Sequence, residues 1–290
     1  MRTDEQKQRD LERIAKYRDL EDQVRSHVSR GDYNAAIFQL TSKLLRLNPE
    51  YYTIWNVRRR CLISGSFSRP SAGSSCSRAC STTSRTATTA PSSTSLSPSS
   101  SAATPPAHDS PTAGRSGTTA ETTAATAPST DESTAAETQD LATLRSELAF
   151  TIPLLLESPK CYWIWSYRLW LLQQAITRLR PQLARQIWEE ELRLASKMLD
   201  KDRRNFHAWG YRRHVVTQLE SDALQGSSMV AAEFDYTSSM IRKDLSNFSA
   251  WHSRGKLIPR LLEERAADEQ ARRVFLDEGM CFAQPTNQMT

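Results

Sequence analysis

A chain of 290 residues, 24% charged and 38% hydrophobic with a negative mean hydropathy, carries enough apolar content for one sizeable domain or two small ones. No run approaches the roughly 18 apolar residues of a membrane span, and the net charge of +5 comes from charges of both signs alternating along helical segments, a solvated face rather than a nucleic-acid footprint. Five unpatterned cysteines (Cys61, Cys76, Cys80, Cys161, Cys281) read as reduced thiols and exclude a disulfide framework.

The opening, "MRTDEQKQRDLERIAKYRDLEDQ", lacks the apolar core of a signal peptide, so a cytoplasmic protein without membrane insertion is expected. Residues 1–64 read as an N-terminal helix and a first repeat, the latter containing "NPEYYTIWNVRRRCL" around Trp55. The composition then breaks. From Ser71 to Thr130, 48 of 60 residues are Ser, Thr, Ala or Pro, and the stretch has no Trp, Tyr, Phe, Ile, Val or Met. Such a segment cannot bury enough apolar surface to offset the entropy of ordering its backbone, so residues 65–133 read as a disordered insertion. Cys76 and Cys80 lie inside it, and a CxxxC without a second pair is not a zinc motif.

Residues 134–277 resume the pattern with three more repeats and the start of a fifth. They read "SPKCYWIWSYRLWLL" at Trp165, "RRNFHAWGYRRHVV" at Trp209 and "LSNFSAWHSRGKLI" at Trp251. Three positions before each tryptophan stands an aromatic residue (Tyr52, Tyr162, Phe206, Phe248) and three after it an arginine (Arg58, Arg168, Arg212, Arg254). The last two intervals between tryptophans are 44 and 42 residues, a period typical of helical-pair arrays. The first is 110, longer than one period by nearly the length of the low-complexity segment, so the insertion separates two repeats and replaces none. Residues 278–290 form a divergent tail.

Each unit predicts a helix hairpin. Its first helix carries an apolar stripe, as in "EEELRLASKMLDKD", and its second opens at Asn205 or Asn247, residues suited to an N-cap. In the second repeat Ser158 is the expected cap, with Pro159 in the first helical turn. Aromatic, Trp and Arg sit three apart and share one helix face. The rings are expected to fill the seams between hairpins, with each guanidinium over a ring or at a helix C-terminus. One hairpin cannot bury its apolar face alone, so the fold expected is all-α, a right-handed α-superhelix or crescent whose concave side meets a partner.

Chemistry is harder to find. There is no glycine-rich phosphate loop, no HExxH and no paired Cys/His spacing, and His207 and His214, seven residues apart, have no further ligand placed beside them. Nine glycines in the whole chain make nucleotide-binding loops improbable. No metal site is expected, and a self-sufficient enzyme is not. A subunit that lends side chains to a neighbour's active site stays open.

The aromatic-x-x-Trp-x-x-Arg hairpins resemble those of protein prenyltransferase alpha subunits, over Met1 to Leu62 and about Leu141 to Leu262. "LTSKLLRLNPEYYTIWNVRRRCL" and "PKCYWIWSYRLWLL" look most like the type II, Rab-modifying branch in its fungal form. The resemblance implies a chain inactive alone that wraps a beta subunit holding zinc and most of the isoprenoid pocket. The heterodimer then moves geranylgeranyl from its diphosphate to C-terminal cysteines of Rab GTPases presented by a Rab escort protein. It also implies a site lysine five residues before a repeat tryptophan, with a tyrosine two later. Only the second repeat has that pair, as Lys160 and Tyr162. An ammonium offsets the charge developing on a departing diphosphate, and a phenol can donate to it. Read alone, Lys160 is a solvated lysine at a helix start, and Tyr162 is equally a core aromatic.

In the third repeat, Asn205, Phe206 and His207 match an Asn-Tyr-His at the site's rim in relatives, with Phe206 lacking the hydroxyl. Trp163 stands where farnesyl-type alpha subunits carry a glutamine, which favours the type II branch over the alpha subunit shared by farnesyltransferase and the type I enzyme. The family implies at least five hairpins, against four and the first half of a fifth here. From another class, a non-enzymatic helical-repeat scaffold is the competing reading, although tetratricopeptide repeats run at 34 residues.

Overall fold

The computed structural model describes residues 3–68 and 130–281, and every regular element among them is helical. These residues fall in one packed unit, and the segment Ser71–Ser129, with the disorder expected of it, lies outside the described residues, as do residues 282–290. The chain enters through α1 (Asp4–Ser29), whose N-terminus is closed by a capping box between Thr3 and Gln6. Four hairpins follow: α2 (Ala35–Leu47) with α3 (Tyr52–Cys61), α4 (Thr130–Glu157) with α5 (Tyr162–Arg178), α6 (Pro181–Lys201) with α7 (Phe206–Leu219), and α8 (Val230–Lys243) with α9 (Phe248–Glu264). A last helix, α10 (Glu269–Cys281), packs Phe275 against Phe234 of α8 with ring centroids 5.4 Å apart.

The recurring tryptophan does two jobs. Its ring fills a seam: Trp55, Trp165 and Trp209 are 1–3% exposed, while Trp251 is half-buried. Its indole N–H closes the turn before its own helix, donating to the carbonyl six residues back: Pro49 (2.8 Å), Pro159 (2.9 Å), Arg203 (2.8 Å) and Leu245 (2.9 Å). The first three of these carbonyls receive a second donor from the following repeat's N-cap residue. Cys161 Sγ reaches Pro49 O at 3.4 Å, Asn205 Nδ2 reaches Pro159 O at 3.0 Å, and Asn247 Nδ2 reaches Arg203 O at 2.8 Å. Each asparagine meanwhile accepts from the backbone N–H three residues on, Ala208 or Ala250, both at 3.1 Å. One side chain thus caps its own helix and ties it to the turn before it. In the first repeat Tyr51 takes this place, and its hydroxyl reaches Glu21 of α1 at 2.9 Å.

The recurring arginine is buried and paired. Arg58 Nε and Nη2 grip Glu147 of the next hairpin at 2.6 and 2.8 Å, Arg168 grips Glu191 in the same two-pronged way, and Arg212 grips Glu233 at 2.9 and 2.5 Å. On the other side each guanidinium meets hydroxyls of its own hairpin's first helix: Thr41 and Ser42, Thr151, or Ser196. The ring stacking expected from the sequence is present too, with Arg58 over Phe38 (4.0 Å) and Arg212 over Tyr236 (3.4 Å). The glutamates, 18 positions before each next tryptophan, are what the sequence reading missed.

Two expectations change. Ser158 does not cap α5: Cys161 is the N-cap, and Ser158 to Cys161 form a turn whose Pro159 carbonyl serves Trp165 and Asn205. The insertion is also narrower than composition suggests. Leu62–Ser66 form a π-helical turn, Phe67 is buried, and the Ser68 N–H and hydroxyl donate to Asp140 at 2.7 and 2.6 Å. Arg178 lies over the Phe67 ring at 4.3 Å and donates to the Ser68 carbonyl at 2.9 Å. These contacts give Gly65 to Ser68 to the first repeat, and α4 begins at Thr130.

Candidate functional site at the α4–α5 turn

Lys160 stands in the turn Ser158–Cys161, two residues before α5, not in the helix itself. A turn is where a long cation can point outward, because no neighbouring helical turn packs over it. Its side chain is 76% exposed, and its Nζ lies 3.8 Å from Asp202 Oδ2 at the C-cap of α6. At that distance and exposure the pair contributes little to stability. The equivalent position of the third repeat shows a tighter version: Arg204 reaches Asp244 at 3.1 and 3.2 Å. Lys160 is therefore the loosely held member of a ladder of surface ion pairs, and its ammonium is available to another anion.

The aromatic residues three before each tryptophan do not join the core. Tyr52, Tyr162, Phe206 and Phe248 are 52, 55, 74 and 82% exposed. Each is the first residue of its helix, so its side chain leans back past the helix end, beyond the layer that buries Trp and Arg. Tyr162 meets Trp163 edge-on with centroids 5.1 Å apart and the His207 ring at 6.3 Å; Trp163 meets Tyr52 at 5.3 Å, and His207 meets Phe206 at 5.9 Å. Tyr162 and His207 are thus brought together at one edge, across the N-termini of α5 and α7.

Asn205 is different. It is 1% exposed, and its amide donates to the Pro159 carbonyl and accepts from the Ala208 N–H, so it ties the Lys160 turn to the start of α7.

The sequence reading also missed Arg59. It lies over the rings of Tyr167 (5.8 Å) and Trp170 (5.6 Å) and reaches the Ser166 carbonyl and hydroxyl at 3.4 and 3.5 Å. Burial lowers the pKa of its guanidinium, against the fields of Tyr167 and Tyr162, and its buried Nε has no partner among the described residues. The signal was a second arginine, four after the tryptophan, repeated at Arg213. Among the described residues no three His, Cys, Asp or Glu side chains converge on a possible metal position, and no helix is long and apolar enough to cross a membrane. The described residues thus supply an exposed, loosely paired ammonium (Lys160) in the turn before α5, and a phenol and an imidazole (Tyr162 and His207) 6.3 Å apart at the starts of α5 and α7.

Comparison with known proteins gives this arrangement a context. The model of the protein prenyltransferase alpha subunit repeat matches residues 35–64, 144–175, 188–219 and 230–261, one per hairpin. The chain is 30% identical over 258 residues to the geranylgeranyl transferase type-2 subunit alpha of Candida albicans, covering 88% of this chain and 51% of that protein. It is 41% identical over 92 residues to the protein of the same name from Saccharomyces cerevisiae, covering 32% of this chain and 26% of that protein. Against the Homo sapiens protein of that name it is 26% identical over 189 residues, covering 65% and 20%. The chain spans about half the length, or less, of these curated relatives.

Proposed function

Because the chain belongs to the protein prenyltransferase alpha subunit repeat family, we propose that it acts as the alpha subunit of a heterodimeric geranylgeranyl transferase of type 2. Its role is to scaffold a catalytic beta subunit and to lend the Lys160 ammonium to the diphosphate of geranylgeranyl diphosphate. The acceptors are C-terminal cysteines of Rab GTPases, delivered by a Rab escort protein, and the setting is the cytoplasm. Zinc is assigned to the beta subunit, where it would lower the pKa of the acceptor thiol; among this chain's described residues no group of side chains converges on a metal position.

The observation that carries the reading is the loosely paired Lys160 in the turn before α5, two residues ahead of Tyr162, whose ring meets that of His207 at 6.3 Å. As the prenyl carbon leaves, negative charge grows on the diphosphate oxygens. A cation aimed at that point stabilises the transition state more than the ground state, and a phenol O–H donates to the same oxygens. Asn205 acts through the turn: by fixing the Pro159 carbonyl it fixes where Lys160 starts. Exposed Phe206, whose ring meets His207, and exposed Phe248, at the same position of the last hairpin, suit an apolar contact with a partner or an isoprenoid chain.

Co-expression with a type 2 beta subunit tests this. The proposal expects a stable complex that transfers geranylgeranyl to a Rab protein presented by its escort, and no transfer by either chain alone. One observation favours a second reading, a helical-repeat scaffold without catalysis: Arg204, at the position equivalent to Lys160, is an ordinary surface ion pair. Failure to bind a beta subunit, together with capture of another partner, would favour that reading.

A further inference from the structure

Three seams join the four hairpins, and two are closed by the same device. Trp55 packs on Tyr167 of the next hairpin with centroids 4.7 Å apart, and Trp165 packs on Tyr211 at 5.0 Å. Both phenols are buried and donate to the glutamate that grips the arginine, Tyr167 to Glu147 Oε2 at 2.7 Å and Tyr211 to Glu191 Oε2 at 2.5 Å. Each of these carboxylates therefore receives three donors, two from Arg and one from Tyr.

At the third seam the tyrosine is missing. The residue two after Trp251 is Ser253. Among the described residues Trp209 finds a ring only in Tyr236, with centroids 6.1 Å apart, and Glu233, 6% exposed, holds Arg212 and receives no phenol. In the ring's place there is a cavity of about 240 Å³, lined by Trp209, Arg212, Glu233 and Ser253, with Thr217 and Lys256. Trp209 and Glu233 thus line open space where the other two seams hold a tyrosine.

We propose that this cavity is a binding site for a phenol ring, which stacks against Trp209 and donates its hydroxyl to Glu233 Oε2. The size suffices, since an apolar cavity of roughly 150 Å³ accepts benzene. Specificity comes from the carboxylate: a hydrogen bond to a buried charged acceptor rewards phenol over the same ring without a hydroxyl. The ring can arrive as a small free phenol or as the tyrosine of a bound chain.

Calorimetric titration of the full chain with phenol, toluene and N-acetyltyrosinamide tests this, alongside S253Y and S253F. Phenol is expected to bind about tenfold more tightly than toluene. S253Y is expected to abolish phenol binding and to raise Tm by about 2–6 °C, more than S253F does. Binding of N-acetyltyrosinamide as well as phenol identifies the ligand as a tyrosine of a bound chain; binding of phenol alone identifies a small free phenol. No phenol binding, or toluene binding as tightly as phenol, would overturn the site, and both results come from the unsubstituted chain even if S253Y does not fold.

Discussion

Arg58, Arg168 and Arg212 are nearly fully buried, and none could be tolerated there alone. Each is made tenable by a two-pronged carboxylate from the next hairpin and hydroxyls from its own. Arg168→Ala leaves Glu191 with the Tyr211 hydroxyl as its remaining donor. We expect a loss of about 3–5 kcal/mol in urea denaturation; a loss under about 1 kcal/mol would show that water solvates the carboxylate. Burial, reinforced by the adjacent glutamates, pushes the Tyr167 and Tyr211 phenols well up, so both stay neutral donors at ordinary pH. The buried thiols behave alike: burial pushes Cys61 and Cys161 from 9.0 to about 11. A raised thiol pKa stabilises the fold fully below the unfolded value of 9.0, and that contribution fades as pH rises through about 11. Residue-resolved labelling with iodoacetamide should therefore find both thiols slow at pH 8, accelerating until about pH 11. At this scale the sequence was half legible. Four arginines in one frame announced a structural role, but the glutamates that pair with three of them lie in a different helix and read as surface acids until the hairpins are stacked.

The elements were the most legible part. The period, the apolar stripe and the asparagine caps are local signals, and the helices start where Asn205 and Asn247 say. Three features were less legible, one set by where the helices begin and two by contacts between repeats. The exposed aromatic edge follows from each helix beginning at its aromatic residue. The Ser158 cap yields to Cys161 because the Pro159 carbonyl is claimed from two sides. The edge of the insertion was misplaced because a short buried anchor, Phe67–Ser68, hides inside a polar stretch. Asn205→Ala removes a cap and frees the Pro159 carbonyl, so we expect a stability loss of about 1–2 kcal/mol. Asn247→Ala should cost the same without touching the Lys160 turn. Reduced prenyl transfer in Asn205→Ala alone, at matched folded fraction, would establish its positioning role.

At the scale of the whole molecule, four stacked hairpins carry the structural pairs inside and leave Tyr162 and His207 facing each other at the starts of α5 and α7, with the loosely paired Lys160 in the turn before α5. Family membership was legible in the sequence because the frame recurs four times; the role of Lys160 was not, because a turn lysine and a site lysine look alike. The ladder of ion pairs supplies an internal control. In a complex of this chain with a type 2 beta subunit, single-turnover transfer of geranylgeranyl to a Rab protein should be compared for Lys160→Ala and Arg204→Ala. The expected result is a fall of about 10- to 100-fold for Lys160→Ala, with the complex intact and Arg204→Ala unchanged. Equal rates for the two variants and the unsubstituted chain would contradict the assignment of Lys160 to the diphosphate.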